Sequence, residues 1–299
     1  LVQDYENQRE FMSLSGNRLV PAVHLGTATH IYAAAFGCAV HEYEDTNPCA
    51  LPLVTSAAEA DALPEPDIWS SPTLYRVFEL ARAVLDECGP DTPLGPPDLQ
   101  SGFDTASLVW NKEDFLCAML LEPEAAMCLV DKCARLFKQF LTELRCEFPT
   151  LSPGHCPRTW VPPDLGPWLS NDECGAFGLN EFEAFCLPEL IDLAETFGGL
   201  GMHCCADAEH QFESFKKIPN FYAFNRVKGK LGWDPLLEHF DGPDAPVHVL
   251  GWVGPEQAEC FVQQAHPATR FIFVHNAATP EDAKAWLGQM SEILEPVPA

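Results

Sequence analysis

Basic residues are scarce in this chain: 17 Lys and Arg stand against 44 Asp and Glu, a formal net charge of −27. No basic stripe interrupts that excess, so a polyanion is repelled over most of the surface, and nucleic acid is excluded as a partner. A metal cation or a cationic or neutral substrate is compatible with the field, and so is simple solubility or salt adaptation. No uninterrupted apolar run approaches the roughly 18 residues of a membrane-spanning helix, so no membrane span is expected. The glycine-rich fingerprint of dinucleotide-binding folds is missing. A disulfide frame is missing as well. The 13 cysteines are odd in number and scattered, several at helix-like positions such as Cys117, Cys128, Cys133 and Cys186. With no charged-then-apolar signal segment, the expected compartment is a reducing cytoplasm. The chain begins at Leu1 without Met, which reads as a processed or trimmed start.

What is present is ordinary globular composition, 47% hydrophobic and 20% charged over 299 residues. Strand-like apolar pieces alternate with helical patterns, the signature of βα units on a parallel sheet. Leu74, Val77, Phe78, Ala81, Val84 and Leu85 recur at helical spacing and predict a helix over 73–88, ended by Gly89-Pro90. Residues 112–146 predict two helices broken at Glu122-Pro123, with Pro123 in the first turn of the second. Thr92 to Pro97 reads as a short extended piece and a rigid turn, and Cys146 to Pro167 as a long loop of the functional or mobile kind. Strands are expected at Val20–His24, 168–170, 200–204, 220–224, 247–252 and 271–274. Helices are expected at 181–196, with Asn180 as a cap, at 208–217, and from Pro280 onward. So many strand-loop-helix repeats favour an α/β fold of the (β/α)8 TIM-barrel type, one domain over residues 1–299, because such a barrel commonly fills about 250 residues.

In a barrel of that type, chemistry collects at the C-terminal ends of the strands. Asp98, Asn171, Asp172, His203, Cys204, Cys205, Asn225, His275 and Asn276 fall there, and so does His24 if Val20–His24 is a strand. The most informative stretch is Gly201-Met202-His203-Cys204-Cys205-Ala206-Asp207. At a strand end, residues i and i+2 point to one side, so His203 and Cys205 offer an imidazole and a thiolate together. That donor pair suits zinc better than magnesium or calcium. The structural alternative is a buried histidine with two inert core thiols. Cys204 points the other way and reads as structural. Asp98, after two prolines, and Asp172 are candidates for substrate binding or general-acid work, against the commoner role of a helix cap or surface carboxylate. Asn225 offers a pocket amide or a turn. Trp168 and Trp252 read as core or pocket walls.

The series Ala34 to Val40, Glu113-Asp114-Phe115 with Glu122-Pro123-Glu124, Asn171-Asp172 with Leu187-Pro188, Met202-His203-Cys204-Cys205 and Thr279-Pro280-Glu281-Asp282 resembles the uroporphyrinogen decarboxylase superfamily. The pieces run in family order across nearly the whole chain. The resemblance implies a (β/α)8 barrel, often a homodimer. It is nearer the zinc-dependent branch that moves methyl groups between a corrinoid protein and a thiol. That branch holds zinc through His-x-Cys and a later Cys after the last strand. His203 and Cys205 match the first two, whereas the third position falls at His275-Asn276, where no Cys is present; His275 is then the expected third ligand. The resemblance therefore implies zinc, a small-molecule thiol acceptor positioned by Asn171 and Asp172, with Asp172 as a catalytic or orienting group, and a corrinoid partner protein; Asp98, Asn225 and His24, from their strand-end positions, are the further expected substrate-binding residues. The decarboxylase branch fits less well. Aligning Gly37 with the family glycine puts Ala28 where its early aspartate belongs, and no Arg lies between Arg18 and Arg76 to bind propionates. A metal-free lyase or decarboxylase on a small acid and a non-catalytic binding barrel remain the alternatives.

Overall fold

Seven short parallel strand segments follow one another in chain order in the computed structural model, which describes residues 1–16, 20–227, 229–251 and 253–294. They are β1 Val23–His24, β2 Leu94–Gly95, β3 Trp168–Ser170, β4 Leu200–Cys204, β5 Phe221–Arg226, β6 Val247–Gly251 and β7 Phe271–Val274. β3 to β7 form one five-stranded parallel sheet in sequence order, and β1 pairs with β2. The gap between the two sheets is bridged just past β2. There Ser170 donates its N–H to the Leu99 carbonyl, and Ser101 donates to Ser170.

Parallel neighbours need long crossovers, and helices supply them. The result is a mixed α/β fold on a parallel sheet. Leu94 in β2 also makes a single parallel bridge to Leu151, and among the described residues no ladder joins β7 back to β1, so the hydrogen bonds do not draw a closed eight-stranded ring. A contiguous set of buried residues runs from Val23 to Met290. Among the described residues no helix is long and apolar enough to cross a membrane.

The helix periods translate directly. Leu74, Val77, Phe78, Ala81 and Val84 are the buried stripe of Pro72–Cys88, which stops at Gly89 with a positive φ of 102°. Lys112–Leu121 and Pro123–Glu147 are separate helices because Pro123 opens the second. Two expectations need correction. Residues 181–196 are not one helix capped by Asn180. Leu179–Phe185 follows Gly178, and a new helix, Leu187–Phe197, starts after Cys186. Pro188 has no N–H for a continuing ladder, so the break falls there. The 208–217 helix shrinks to a 3-10 turn at Glu209–Gln211 and four residues, Phe212–Phe215.

The helix Gly102–Val109 gave no sequence signal: seven of its eight residues are buried, polar ones included, so it has no solvent-exposed face to set up a period. The long segment before Pro167 is anchored. Arg145 donates to the carbonyls of Leu165 and Pro163, both at 2.8 Å, and Ser152 Oγ accepts the Val161 N–H at 2.9 Å. It lies across the strand ends and brings His155 to them.

Candidate metal centre at the strand ends

The site is organised by register. β4 places His203 beside Ser170 on one side and Asn225 on the other. Asn171 donates its N–H to the His203 carbonyl at 3.0 Å, which turns the chain after β3 across the end of β4. His203 is only 6% exposed. Its Nδ1 lies 2.5 Å from Asn225 Oδ1, and the Asn225 amide nitrogen donates to the Val249 carbonyl at 2.5 Å. That second bond fixes the amide. Its oxygen must face the ring, so Nδ1 carries the proton and the Nε2 lone pair is left for a partner.

Nε2 faces Asp172, whose Oδ1 is 3.6 Å away. The same oxygen accepts the Cys205 backbone N–H at 2.7 Å, which draws the end of β4 and the loop after β3 together. Asp172 Oδ, His203 Nε2 and Cys205 Sγ offer donor atoms that all lie within 4.8 Å of one another. The donor types suit zinc, whose ligand atoms, bound at about 2.0–2.3 Å in a tetrahedron, sit roughly 3.3–3.7 Å apart, and the Asp172 to His203 separation of 3.6 Å lies in that range. Partial burial and then the Asp172 carboxylate push the Cys205 thiol well above its usual range, so without a cation it keeps its proton. A divalent ion reverses that balance. Cys204 points the other way, fully buried, with Sγ 3.6 Å from Cys174 Sγ.

The Asp172 backbone is itself held. Asp104, 4% exposed on the Gly102–Val109 helix, accepts the N–H of Asp172 at 2.7 Å and of Glu173 at 3.1 Å. Burial raises its carboxyl strongly, opposed by those two donors. Gly175 is obligatory in this loop, since a Cβ there would stand 2.6 Å from the Ala206 Cβ.

A second group of titratable side chains lies beside the metal donors. Asp98 hydrogen-bonds Gln100, and its Oδ1 lies 4.0 Å from His155 Nε2. Burial raises the Asp98 carboxyl, Gln100 opposes that, and the charge of Asp172 adds to it. His155 Nε2 is 3.1 Å from Ser170 Oγ; burial, then the neighbouring His203, lower its pKa to about 3. His24 sits at the end of β1 over Gly95, where any Cβ would collide with its ring. Burial, then Arg158, lower its pKa to about 4. His155, Arg158 and Asp104 did not stand out in the sequence. His155 and Arg158 belong to the Pro- and Gly-rich segment whose length alone had flagged it.

His275 is not in the donor set; this is the main correction to the expected ligands. Its Nε2 lies 3.3 Å from Asp282 Oδ2, and its ring stacks on Trp286 with centroids 4.6 Å apart. With Asn276 it lines a separate cavity of about 530 Å³ between the ends of β6 and β7 and the Pro280–Leu294 helix. Asp172, read as a catalytic or orienting group, is the third potential donor that the structure groups with His203 and Cys205. Asn171 is fully buried, its Nδ2 3.9 Å from Met202 Sδ, so it supports the backbone and does not line a pocket. Trp168 is buried and donates to the Cys156 carbonyl at 3.1 Å, while Trp252 lies outside the described residues.

The fold and the site thus define a parallel α/β protein with an N/O/S donor cluster at the strand ends. The family model of uroporphyrinogen decarboxylase (URO-D) matches residues 20–146, the part of the chain that holds the motif pieces Ala34 to Val40, Glu113-Asp114-Phe115 and Glu122-Pro123-Glu124; the pieces from Asn171 onward lie outside the match. In three dimensions the chain is similar to a methyltransferase from Methanosarcina mazei, with a TM-score of 0.64 at 14% identity, over 94% of this chain and 82% of that one. No curated protein matches it in sequence.

Proposed function

We propose that this protein is a zinc-dependent methyltransferase of the uroporphyrinogen decarboxylase superfamily that moves a methyl group between a corrinoid and a thiol acceptor. The carrying observation is the convergence of Asp172, His203 and Cys205, with the His203 tautomer already set by Asn225. Three protein donors are the number found in catalytic zinc sites, which keep a position open for substrate. Asp172, His203 and Cys205 would hold the ion, and the chemistry it would supply is the lowered pKa of a coordinated substrate thiol, which makes that thiol a nucleophile. The chain's own part is positional. Asn225 aims the Nε2 lone pair, Asp172 joins the two loops through the Cys205 N–H, and Asp98, His24 and His155 form the polar wall against which the acceptor rests. The structural similarity to a methyltransferase over most of the chain supports this reading, and the parallel strand series is compatible with the (β/α)8 ring that the family resemblance implies. The corrinoid, its carrier protein and a homodimer follow from the family resemblance.

A second reading rests on one observation: Asp98 is a desolvated carboxyl with raised pKa beside neutral His155, a fit for a general acid in a metal-free decarboxylase or lyase. One experiment separates the two. Zinc-loaded protein mixed with methylcobalamin and a panel of thiols is expected to erase the methyl-corrinoid spectrum and yield the methyl thioether. A spectrum unchanged with every thiol, with and without zinc, would sink methyl transfer and leave the lyase or a binding barrel.

A further inference from the structure

The donor set has a feature beyond its three members. Asp172 carries two jobs at once: its Oδ1 faces His203 Nε2 and also accepts the Cys205 N–H. A side chain at the start of an exit loop can do both only if its backbone is fixed, because a small rotation at the Cα moves the carboxylate by more than a bond length. The fixing group is on a different element. Asp104 sits in the first turn of Gly102–Val109, where its own N–H is capped by Ser101 Oγ at 3.0 Å. Ser101 in turn donates its backbone N–H to the Ser170 carbonyl, tying the start of this helix to β3. From there the two Asp104 oxygens take the consecutive N–H groups of Asp172 and Glu173. Both bonds are part-buried and end on a carboxyl that is itself nearly inaccessible, so two adjacent backbone groups of the loop are held by one side chain.

We infer that Asp104 is the positioning residue of the site: it holds the loop after β3 so that Asp172 completes the donor set with His203 and Cys205. The path is Asp104 to the Asp172 backbone, then Asp172 Oδ1 to the Cys205 N–H. Asp104 thus acts on the end of β4 through Asp172. Its effect on metal affinity rests on the zinc reading; its effect on the Cys205 amide does not.

The test uses the full chain and cobalt(II) as the probe, read by the thiolate-to-cobalt charge-transfer band, together with hydrogen exchange at the amides of residues 172, 173 and 205. Asp104→Asn keeps the shape and replaces one acceptor by a donor. It is expected to weaken cobalt(II) binding about 10- to 100-fold, the range for lost outer partners of metal ligands. The Cys205 amide, which Asp104 does not touch, is expected to lose protection while the thermal midpoint of the metal-free protein changes little. Parent-like affinity with a protected Cys205 amide would overturn the inference. If the parent itself binds no cobalt(II), the zinc reading falls and the Cys205 amide alone decides: faster exchange in the variant supports the positioning role, and unchanged exchange refutes it. If Asp104→Asn does not fold, Asp104→Ser, which keeps an acceptor in a smaller volume, carries the same two readouts.

Discussion

Two strands of the same sheet have a histidine at the C-terminal end, His203 within β4 and His275 just past β7, and the two sit differently. At β4, His203 is buried, its Nδ1 is held by Asn225, and Asp172 and Cys205 converge on the other nitrogen. At β7, His275 is about a third exposed, and its partners Asp282 and Trp286 lie on the helix that follows it in the chain. Both positions satisfy the rule that chemistry sits at strand ends. What separates them is the neighbourhood. β4 is flanked on both sides by strands whose own ends, Asn171-Asp172 and Asn225, reach across it, whereas β7 has a paired neighbour on one side only among the described residues. A ligand set needs donors from several elements, and an interior strand has them.

The largest effect expected from that difference is in bound metal. His203→Ala and Cys205→Ala should each reduce tag-free protein from near-stoichiometric zinc to a trace, and His275→Ala should leave the content unchanged. Mass spectrometry of the metal reads all three. Equal losses in all three variants would put His275 back in the set and break the comparison.

The next effect is in pH. Cys205 is pushed above the ordinary thiol pKa by partial burial and the Asp172 charge, so it carries a proton throughout the neutral range. Metal must displace that proton. Affinity is therefore expected to rise as pH rises, about tenfold per pH unit for one proton released. Calorimetry at pH 7 in buffers of different ionisation enthalpy counts the protons; a count of zero means Cys205 is not a ligand.

Asn225 comes third. Asn225→Leu removes the acceptor for Nδ1 and frees the Val249 carbonyl, and a 10- to 100-fold loss of zinc affinity is expected. Competition with a chromophoric chelator measures it. An unchanged constant would show that the tautomer is set by something other than Asn225.

These effects also mark what the sequence could disclose. His203 and Cys205 were legible because their spacing of two matches the strand period, which is a local property. Asn225 and Asp98 were legible as strand-end positions, though not as partners of particular atoms. Asp172 was visible as a strand-end acid, but its role depends on the Cys205 N–H, a contact across 33 residues. His275 misled for the same reason. Its place after the last strand fits the family's third ligand, while the direction of its ring is decided by Trp286 and Asp282. Asp104 was hidden because the Gly102–Val109 helix, with seven of its eight residues buried, has no solvent-exposed face. His155 was hidden because a Pro-rich segment has no period at all. The helices at Pro72–Cys88 and Pro123–Glu147 were legible for the opposite reason, a long stripe with one wet side.

The polar wall beside β4 gives a smaller effect, in acid stability. His155 has a folded pKa of about 3 against 6.5 for the free side chain, so between those values the unfolded chain takes a proton that the folded one refuses. Its contribution is complete above about pH 6.5 and falls as pH drops, by about 2 kcal/mol at pH 5. Buried Glu189, raised to about 7, runs the other way: its protonated form is favoured on folding, and that contribution is lost as pH rises from 4.5 to 7. Comparing His155→Gln with the parent isolates the histidine. Denaturant unfolding at pH 7 and pH 5 is expected to show a smaller decline in the variant, and parallel declines would mean that His155 is not desolvated.

The smallest effect belongs to β7. His275→Ala breaks a pair with Asp282, a carboxylate that keeps its hydrogen bond from the Ala278 N–H, and it removes a stacked ring from Trp286. Exposed pairs of this kind contribute little, so the unfolding free energy should move only slightly. The informative quantity is the difference between the two histidines. His203→Ala is expected to destabilise the zinc-loaded protein more than the metal-free protein, because zinc bound only to the folded state adds its binding free energy to stability. His275→Ala is expected to shift both forms equally. Thermal midpoints with and without a chelator give the four numbers needed. If the His275 variant also loses its response to zinc, the cavity between β6 and β7 is part of the metal site, and the contrast between interior and terminal strand does not explain where the chemistry lies.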